Sequence, residues 1–488
     1  MDANKKSTPT IDRLSSLPDD VICKILSLLP TITSVSTSVL ARRWRDLWAH
    51  VPVLHFDEGH FVLYSVGRAQ NISEVVINNA VNDVLSAHKS PTIDTFRICL
   101  TDMCGYDDFE DWMVTVVARK VRNLDVFLET SLPQTIFSCE TLVDLSLSSC
   151  YIPDFGDVSL PALRKLKLEM VGYESYKTLP NLLSGCPVLE ELEMEMLFEE
   201  DHSNHCDIAS LTLKRLSISC TSIECSYNLD AQPCESMLET PALRFLQLYH
   251  VSPPEVTACA LASLTEAKLD FDLGIQMGPS SRSMLEFVGK LCGVRSLTLT
   301  TGFMNITASE LSILNVKFPN LTKLALEKAH GGFVSFFLEN ADNLEVLAIT
   351  LLYQLEEEYL NYWMEPKQVP TCLISHLKYV GIYEFEGVEP ELNMIKYLLR
   401  NSKVLKGFKI QPRNQQPRLM GKFEELNKQP FSNDFVLSLS RSRPSRYKQD
   451  QNIACCDRSG PVVEKQAEAL STVDFGETFT SGYRRRSS

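Results

Sequence analysis

One spacing recurs through most of this chain: an apolar residue, a second three positions later, and a third two after that. It reads Ile93/Phe96/Ile98, Val121/Leu124/Val126, Leu142/Leu145/Leu147, Leu163/Leu166/Leu168, Leu189/Leu192/Met194 and Leu213/Leu216/Ile218, and continues as far as Leu405/Phe408/Ile410. Thirteen such units start 21 to 33 residues apart, 26 on average. Residues two apart in an extended segment point to the same side, so the last two apolar residues of each unit predict one face of a short strand. The first lies just ahead of the strand and packs beneath it. A single unit has no way to cover that face, whereas stacked units share one continuous interior.

A period near 26 is that of leucine-rich repeats, in which each unit supplies a strand and a returning helix or turn. The expected class is therefore α/β: a solenoid of parallel strands that curves into an arc. At 488 residues the chain is long for one compact core, and lengthwise extension by repeats accommodates it. In Leu182-Leu183-Ser184-Gly185-Cys186-Pro187-Val188-Leu189-Glu190-Glu191-Leu192, Gly185 suits the end of a helix and Pro187 an extended entry into the strand. Cys186 reads as a buried packing residue.

Ahead of the repeats, Ser16-Leu17-Pro18-Asp19-Asp20 is a helix start, with proline in the first turn and acids at the positive terminus. Val21, Ile22, Ile25, Leu26, Leu28 and Leu29 follow at helical spacing, and Pro30 ends the segment. A second short helix is expected over residues 31–38 and a third over 39–48, where Val39, Leu40, Trp44, Leu47 and Trp48 sit among Arg42, Arg43 and Arg45. Three short helices bury little alone, so so many large apolar residues in so small a unit point to docking on a partner or on the next domain.

The run Asp12-Arg13-Leu14-Ser15-Ser16-Leu17-Pro18-Asp19-Asp20-Val21, with Ile25-Leu26-Ser27-Leu28-Leu29-Pro30 and Thr37-Ser38-Val39-Leu40-Ala41-Arg42-Arg43-Trp44, resembles the F-box of the plant F-box/leucine-rich-repeat family. That resemblance implies binding to the Skp-type adaptor of a Skp–cullin–F-box ubiquitin ligase, and through it to a cullin. It carries the adaptor-binding role to Leu17, Pro18, Ile22, Ile25, Leu26, Leu29 and Trp44. The family pattern is broken in two places: Ala41 stands where Ser or Cys is usual, and Ile32 and Thr33 replace a polar-acidic pair. The segment 372–410, with Leu377-Lys378-Tyr379-Val380, Gly387 and Leu398-Leu399-Arg400-Asn401-Ser402, resembles the FBD domain that closes many such proteins. It reads as strand, loop, a helix over 391–401, and strand, and as a cap for the open end of the solenoid.

The expected organisation is a flexible N-terminus over 1–10, the F-box over 11–52, the solenoid over 53–371, an FBD-like cap over 372–425 and a flexible Arg/Ser-rich tail over 426–488. A target protein is expected on the repeat arc. Arg164, Lys165 and Lys167 stand in one repeat, Glu190, Glu191 and Glu193 in the next, and Lys214 and Arg215 in the third, so a parallel stack would set opposite charges side by side. That order predicts a self-neutralising structural ladder. Phe245, Gln247, Glu345 and Val346, less paired by sequence, are the better candidates for substrate contact. A repeat scaffold that recruits no ligase is the alternative.

Other functions have little support. A net charge of −15 disfavours wholesale binding to nucleic acid or anionic membrane, and Arg484-Arg485-Arg486 is too short a run to assign to either. No stretch reads as a membrane span or a secretory signal, so the glycosylation triplets at Asn71 and Asn305 carry no weight. Fifteen cysteines, mostly within apolar segments, suit buried thiols in a reducing compartment, nuclear or cytoplasmic. Asp201, His202, His205, Cys206 and Asp207 fit no strong zinc spacing, and Cys455-Cys456 is equally weak. No phosphate-binding, metalloprotease or nucleophile-elbow motif occurs, so neither cofactor nor enzymatic activity is expected.

Overall fold

The computed structural model describes residues 16–58, 74–100, 106–197, 207–221, 237–251, 255–256, 261–271, 281–300, 310–311, 314–329, 331–351, 363–413, 422, 426 and 436–439. Two compact units divide the chain, Met1–Asn320 and Leu321–Ser488. In the first, ten strands pair in chain order and in parallel: Val53–Asp57, Thr95–Cys99, Asn123–Phe127, Asp144–Ser148, Lys165–Glu169, Glu191–Leu197, Arg215–Thr221, Phe245–Tyr249, Glu266–Asp270 and Ser296–Thr300. The predicted register holds: Leu166, Leu192 and Leu216 are direct neighbours on adjacent strands, as are Leu168, Met194 and Ile218. All six are buried. Each fully buried leucine of this kind contributes roughly 1.5–3 kcal/mol, and the stack repeats that gain down its length.

A backbone device sets the register. The carbonyl of the residue just before each strand accepts two amides from the next repeat: Arg164 O takes Glu190 N and Glu191 N, Glu190 O takes Lys214 N and Arg215 N, and Lys214 O takes Arg244 N and Phe245 N. At the other end, Ser149, Met170 and His250 adopt left-handed backbone (φ 51–55°) immediately after their strands. Their amides reach Glu169 O, Glu195 O and Asp270 O on the next strand. Behind the sheet lie the helices Glu74–Ala87, Tyr106–Ala118, Thr178–Ser184 and Ser281–Lys290. Trp112, fully buried, donates its indole N–H to Asn82 Oδ1 at 2.6 Å, and Phe287 meets Phe271 edge-on at 6.2 Å.

Gly185 follows the helix Thr178–Ser184, but in right-handed backbone (φ −77°) rather than the left-handed cap its position suggests. Its role is space: a Cβ there would lie 2.5 Å from the Val158 carbonyl oxygen. Cys186 is buried as expected, donates to Leu182 O at 3.2 Å, and has its thiol pKa pushed up to about 12 by burial.

The N-terminal module forms α1 (Asp19–Leu26) and α2 (Thr31–Ser36). The third expected helix is instead a series of 3-10 turns, Thr37–Val39, Arg42–Arg45 and Leu47–His50, broken where Ala41 is extended. Its two large buried residues, Trp44 and Leu47, lie in successive turns. The module is tied to the first repeats by backbone. Ala49 O accepts Lys89 N and Ser90 N, and Pro52 O accepts Asp94 N and Thr95 N. His88, 5% exposed, bridges the same junction. Val51 O only accepts and Arg119 only donates, so the ring carries its proton on Nε2 (2.8 Å to Val51 O) and receives Arg119 Nη1 on Nδ1 (3.0 Å). Burial lowers its pKa.

In the second unit five strands pair in parallel and in chain order: Lys323–Ala329, Val346–Leu351, Tyr379–Phe385, Gly407–Pro412 and Val436–Leu439. The last falls in the stretch expected to be a flexible tail. Its Val-Leu-Ser-Leu alternation pairs it with Gly407–Pro412, whose edge it covers. The expected helix runs Glu389–Asn401, with Pro390 in its first turn. Glu391, 4% exposed, turns back to accept the amides of Glu386, Gly387 and Val388 at 3.2, 2.6 and 3.2 Å. Gly387 is left-handed (φ 75°), which explains glycine at this turn.

Candidate docking surfaces

In the N-terminal module the large apolar residues divide into two sets. Ile22, Leu26, Trp44, Leu47 and Val51 form its core. Leu17 and Leu29 pack against that core while remaining half-buried; Ile25 is also half-buried, and Pro18 is exposed. By contrast Leu28, Val39 and Leu40 are 84%, 85% and 69% exposed. Arg43 fixes the frame: its Nε and Nη2 reach Asp19 Oδ1 at 2.8 and 2.5 Å, and Nη2 also reaches Leu17 O at 2.7 Å. The start of α1 is thereby pinned to the turn Arg42–Arg45, and Thr31 Oγ1 accepts the His55 amide at 2.7 Å.

On the first unit's sheet the outward positions form rows across the strands. In one row Asp144, Lys165, Glu191, Arg215, Phe245 and Glu266 are successive neighbours. Lys165 Nζ meets Glu191 Oε2 at 2.9 Å. One position earlier, Glu190 receives Arg164 at 2.9 Å and Lys214 at 3.1 Å. The hydrogen bond from Lys214 and the flanking cations lower the Glu190 pKa. Lys167 departs from the expected ladder: it pairs with Glu169 along its own strand, at 2.6 Å. Glu169 also accepts Ser148 Oγ, 2.9 Å away, which fixes its carboxylate within reach of Lys167.

Phe245, expected as an open contact, is only 8% exposed. The Arg215 guanidinium lies 4.1 Å and the Lys268 ammonium 5.5 Å from its ring centroid. Gln247 is half-buried beside Ser217 and Lys268 in the neighbouring row. On the second unit's sheet, Glu345 is bound to Lys378 at 2.7 Å, and Val346 is half-buried beside Tyr379.

Among the described residues no group of three or more His, Cys, Asp or Glu side chains is arranged to hold a metal ion. Asp201, His202, His205 and Cys206 lie outside the described residues, as do Cys455, Cys456, the glycosylation triplets and the arginines at 484–486. Asp207 accepts the Met237 amide at 3.1 Å. Among the described residues no helix is long and apolar enough to cross a membrane.

Three family models match: F-box domain over residues 14–56, FBD over 365–410, and "FBD-associated F-box protein At5g56370, LRR repeats" over 109–240. The FBD-associated F-box protein At5g56440 of Arabidopsis thaliana is 30% identical over 422 residues, which cover 82% of this chain and 92% of that protein. The chain belongs to the plant F-box/FBD/leucine-rich-repeat family. A second Arabidopsis relative, the F-box/FBD/LRR-repeat protein At3g52680, is 30% identical over 453 residues, covering 90% of this chain and 94% of its own length.

Within this F-box/FBD/LRR chain, Ile22, Leu26 and Trp44 are buried in the module's own core. Leu28, Val39 and Leu40 form no part of the expected adaptor-binding set, yet they carry the exposed apolar area. Helical spacing groups Leu28 with Ile22, Ile25, Leu26 and Leu29, but α1 ends at Leu26 and Leu28 lies beyond it.

Proposed function

We propose that this chain is the substrate-recruiting adaptor subunit of a Skp–cullin–F-box ubiquitin ligase. Its F-box docks on the Skp-type adaptor, its repeat face holds a target protein, and an associated ubiquitin-conjugating enzyme is brought near the target's lysines. The rate gain is one of effective concentration, with no catalytic group or cofactor supplied by this chain. The observation that carries the reading is the exposed apolar set Leu28, Val39 and Leu40, which lies within the F-box match, as do exposed Pro18 and the half-buried Leu17, Ile25 and Leu29. Isolated exposed leucines are ordinary, but three in a module this small are costly to leave in water. The buried thiols of Cys139, Cys150, Cys186 and Cys372 suit a reducing, intracellular setting, in nucleus or cytoplasm.

Co-purification of the full chain with a Skp-type adaptor tests this reading. Wild type is expected to retain the adaptor, while Leu28→Asp with Val39→Asp loses it and keeps the native circular dichroism. Leu17→Asp with Pro18→Ala is expected to weaken it as well. A well-folded wild type that retains no adaptor overturns the reading and leaves a repeat scaffold without ligase recruitment. Ile22 and Trp44 are unsuitable probes, because their substitution disrupts the core itself.

A further inference from the structure

Across the first part of the first unit's sheet most outward cations are bound to carboxylates, Arg122 excepted: Arg97 to Asp125 at 2.7 Å, Arg164 and Lys214 to Glu190, and Lys165 to Glu191. The arrangement changes at Arg215. Its facing residue on one side, Glu191, is held by Lys165; on the other side stands Phe245, and the guanidinium lies over that ring instead. Lys268, from the strand beyond, approaches the same ring. Arg244, directly before Phe245, is exposed. Among the described residues none of these three cations makes an ion pair. Glu266 faces Phe245 and lies two residues from Lys268, yet it bonds to neither Lys268 nor Arg215.

We propose that the Phe245 platform, with Arg215 and Lys268 seated on its ring and Arg244 at its border, is the contact point for an acidic peptide segment of the recruited target. This deepens the reading above and rests on it, since it takes the repeat face as the target-holding surface. The ring orders two long side chains from two strands before any partner arrives, which removes part of the entropy cost of docking. A guanidinium presents its fork of donors to a carboxylate, and the neighbouring Gln247 and Ser217 offer neutral hydrogen-bonding groups in the next row. The same face carries Glu169, Glu195 and Asp270 toward the strand ends. With the chain's net charge of −15, this favours a short acidic stretch over a long polyanion such as nucleic acid.

Fluorescence polarisation with a labelled oligoglutamate peptide tests the proposal on the full chain, without need of the adaptor. Wild type is expected to bind, more weakly as salt rises. Arg215→Gln with Lys268→Gln should lose about tenfold in affinity, the order expected when two charge-assisted contacts go. Arg97→Gln, in the neutralised part of the sheet, should change it less than about twofold. Thermal melts of each variant separate lost binding from lost folding, and Phe245→Leu should give an intermediate loss by freeing both cations. No binding by wild type, equal loss in the Arg97 variant, or tighter binding of a single-stranded RNA of matched charge overturns the proposal. Retention of the Skp-type adaptor by the same variants is expected to be unchanged. Failure here is therefore distinguishable from failure of the ligase reading.

Discussion

Lys165 and Glu191 face each other on neighbouring parallel strands and close an ion pair of 2.9 Å. The hydrogen bond to Glu191 raises the Lys165 pKa above its ordinary value. Both side chains are about half exposed, so solvent screens the pair and its worth is a few tenths of a kcal/mol. Glu191→Lys is expected to lower stability, because Lys165 and Arg215 then flank a third cation. Adding Lys165→Glu should recover part of that loss. Urea titration of the single and double variants measures the coupling.

Gly185 gives a larger effect from a smaller change. Alanine there places a methyl against the Val158 carbonyl, and backbone has little room to yield. The expected loss is about 1–3 kcal/mol, read from the denaturation midpoint. A negative φ at this residue excludes a conformational explanation, so the asparagine that a left-handed cap would tolerate should be as harmful as alanine.

His88 makes the first unit sensitive to acid. Its folded pKa lies below 6.5, so the unfolded chain binds its proton first as pH falls. The contribution to stability is complete above 6.5 and is lost on acidification through the window between 6.5 and the lowered folded value. The ring's proton would be added at Nδ1, where Arg119 already donates, and nearby His50 repels it further. Thermal midpoints at about pH 7 and 5.5 should therefore diverge, and His88→Gln should narrow the gap.

Glu391 has the opposite sign. Burial raises its pKa from 4.5 to about 7, outweighing the three amides and Lys422, which favour the carboxylate. The folded state then holds the proton more tightly than the unfolded chain, and stability of the second unit falls as pH rises from 4.5 to about 7, by up to about 3 kcal/mol. Glu391→Gln is expected to flatten that dependence. Glu391→Ala leaves three amides without their acceptor and should cost about 1–3 kcal/mol at neutral pH and more in acid. Denaturant melts across the range check both.

The repeat interior was legible because its signal is redundant: Leu166, Leu192 and Leu216 each repeat the same spacing, and a parallel stack has few other ways to bury them. The ladder at Lys165 and Glu191 followed from register alone. Lys167 did not, because a long flexible side chain chooses among carboxylates by local geometry, and it pairs with Glu169 on its own strand although Glu193 faces it on the next. Phe245 was expected to be open because one strand's sequence says nothing of cations arriving from its neighbours. In the F-box the apolar residues were evident, but which of them face inward depends on how α1 meets the turns that follow. Ile22 and Trp44 turned inward, and Leu28, Val39 and Leu40 were left outside.

The carbonyls that each take two amides from the following repeat recognise only main chain. Alignment of the strands is thereby independent of what projects from them, and the outer rows are free to be rewritten by mutation while the stack keeps its pitch. Such an architecture lets one scaffold vary what it displays: relatives near 30% identity align with this chain over 82% and 90% of its length while most of their residues differ.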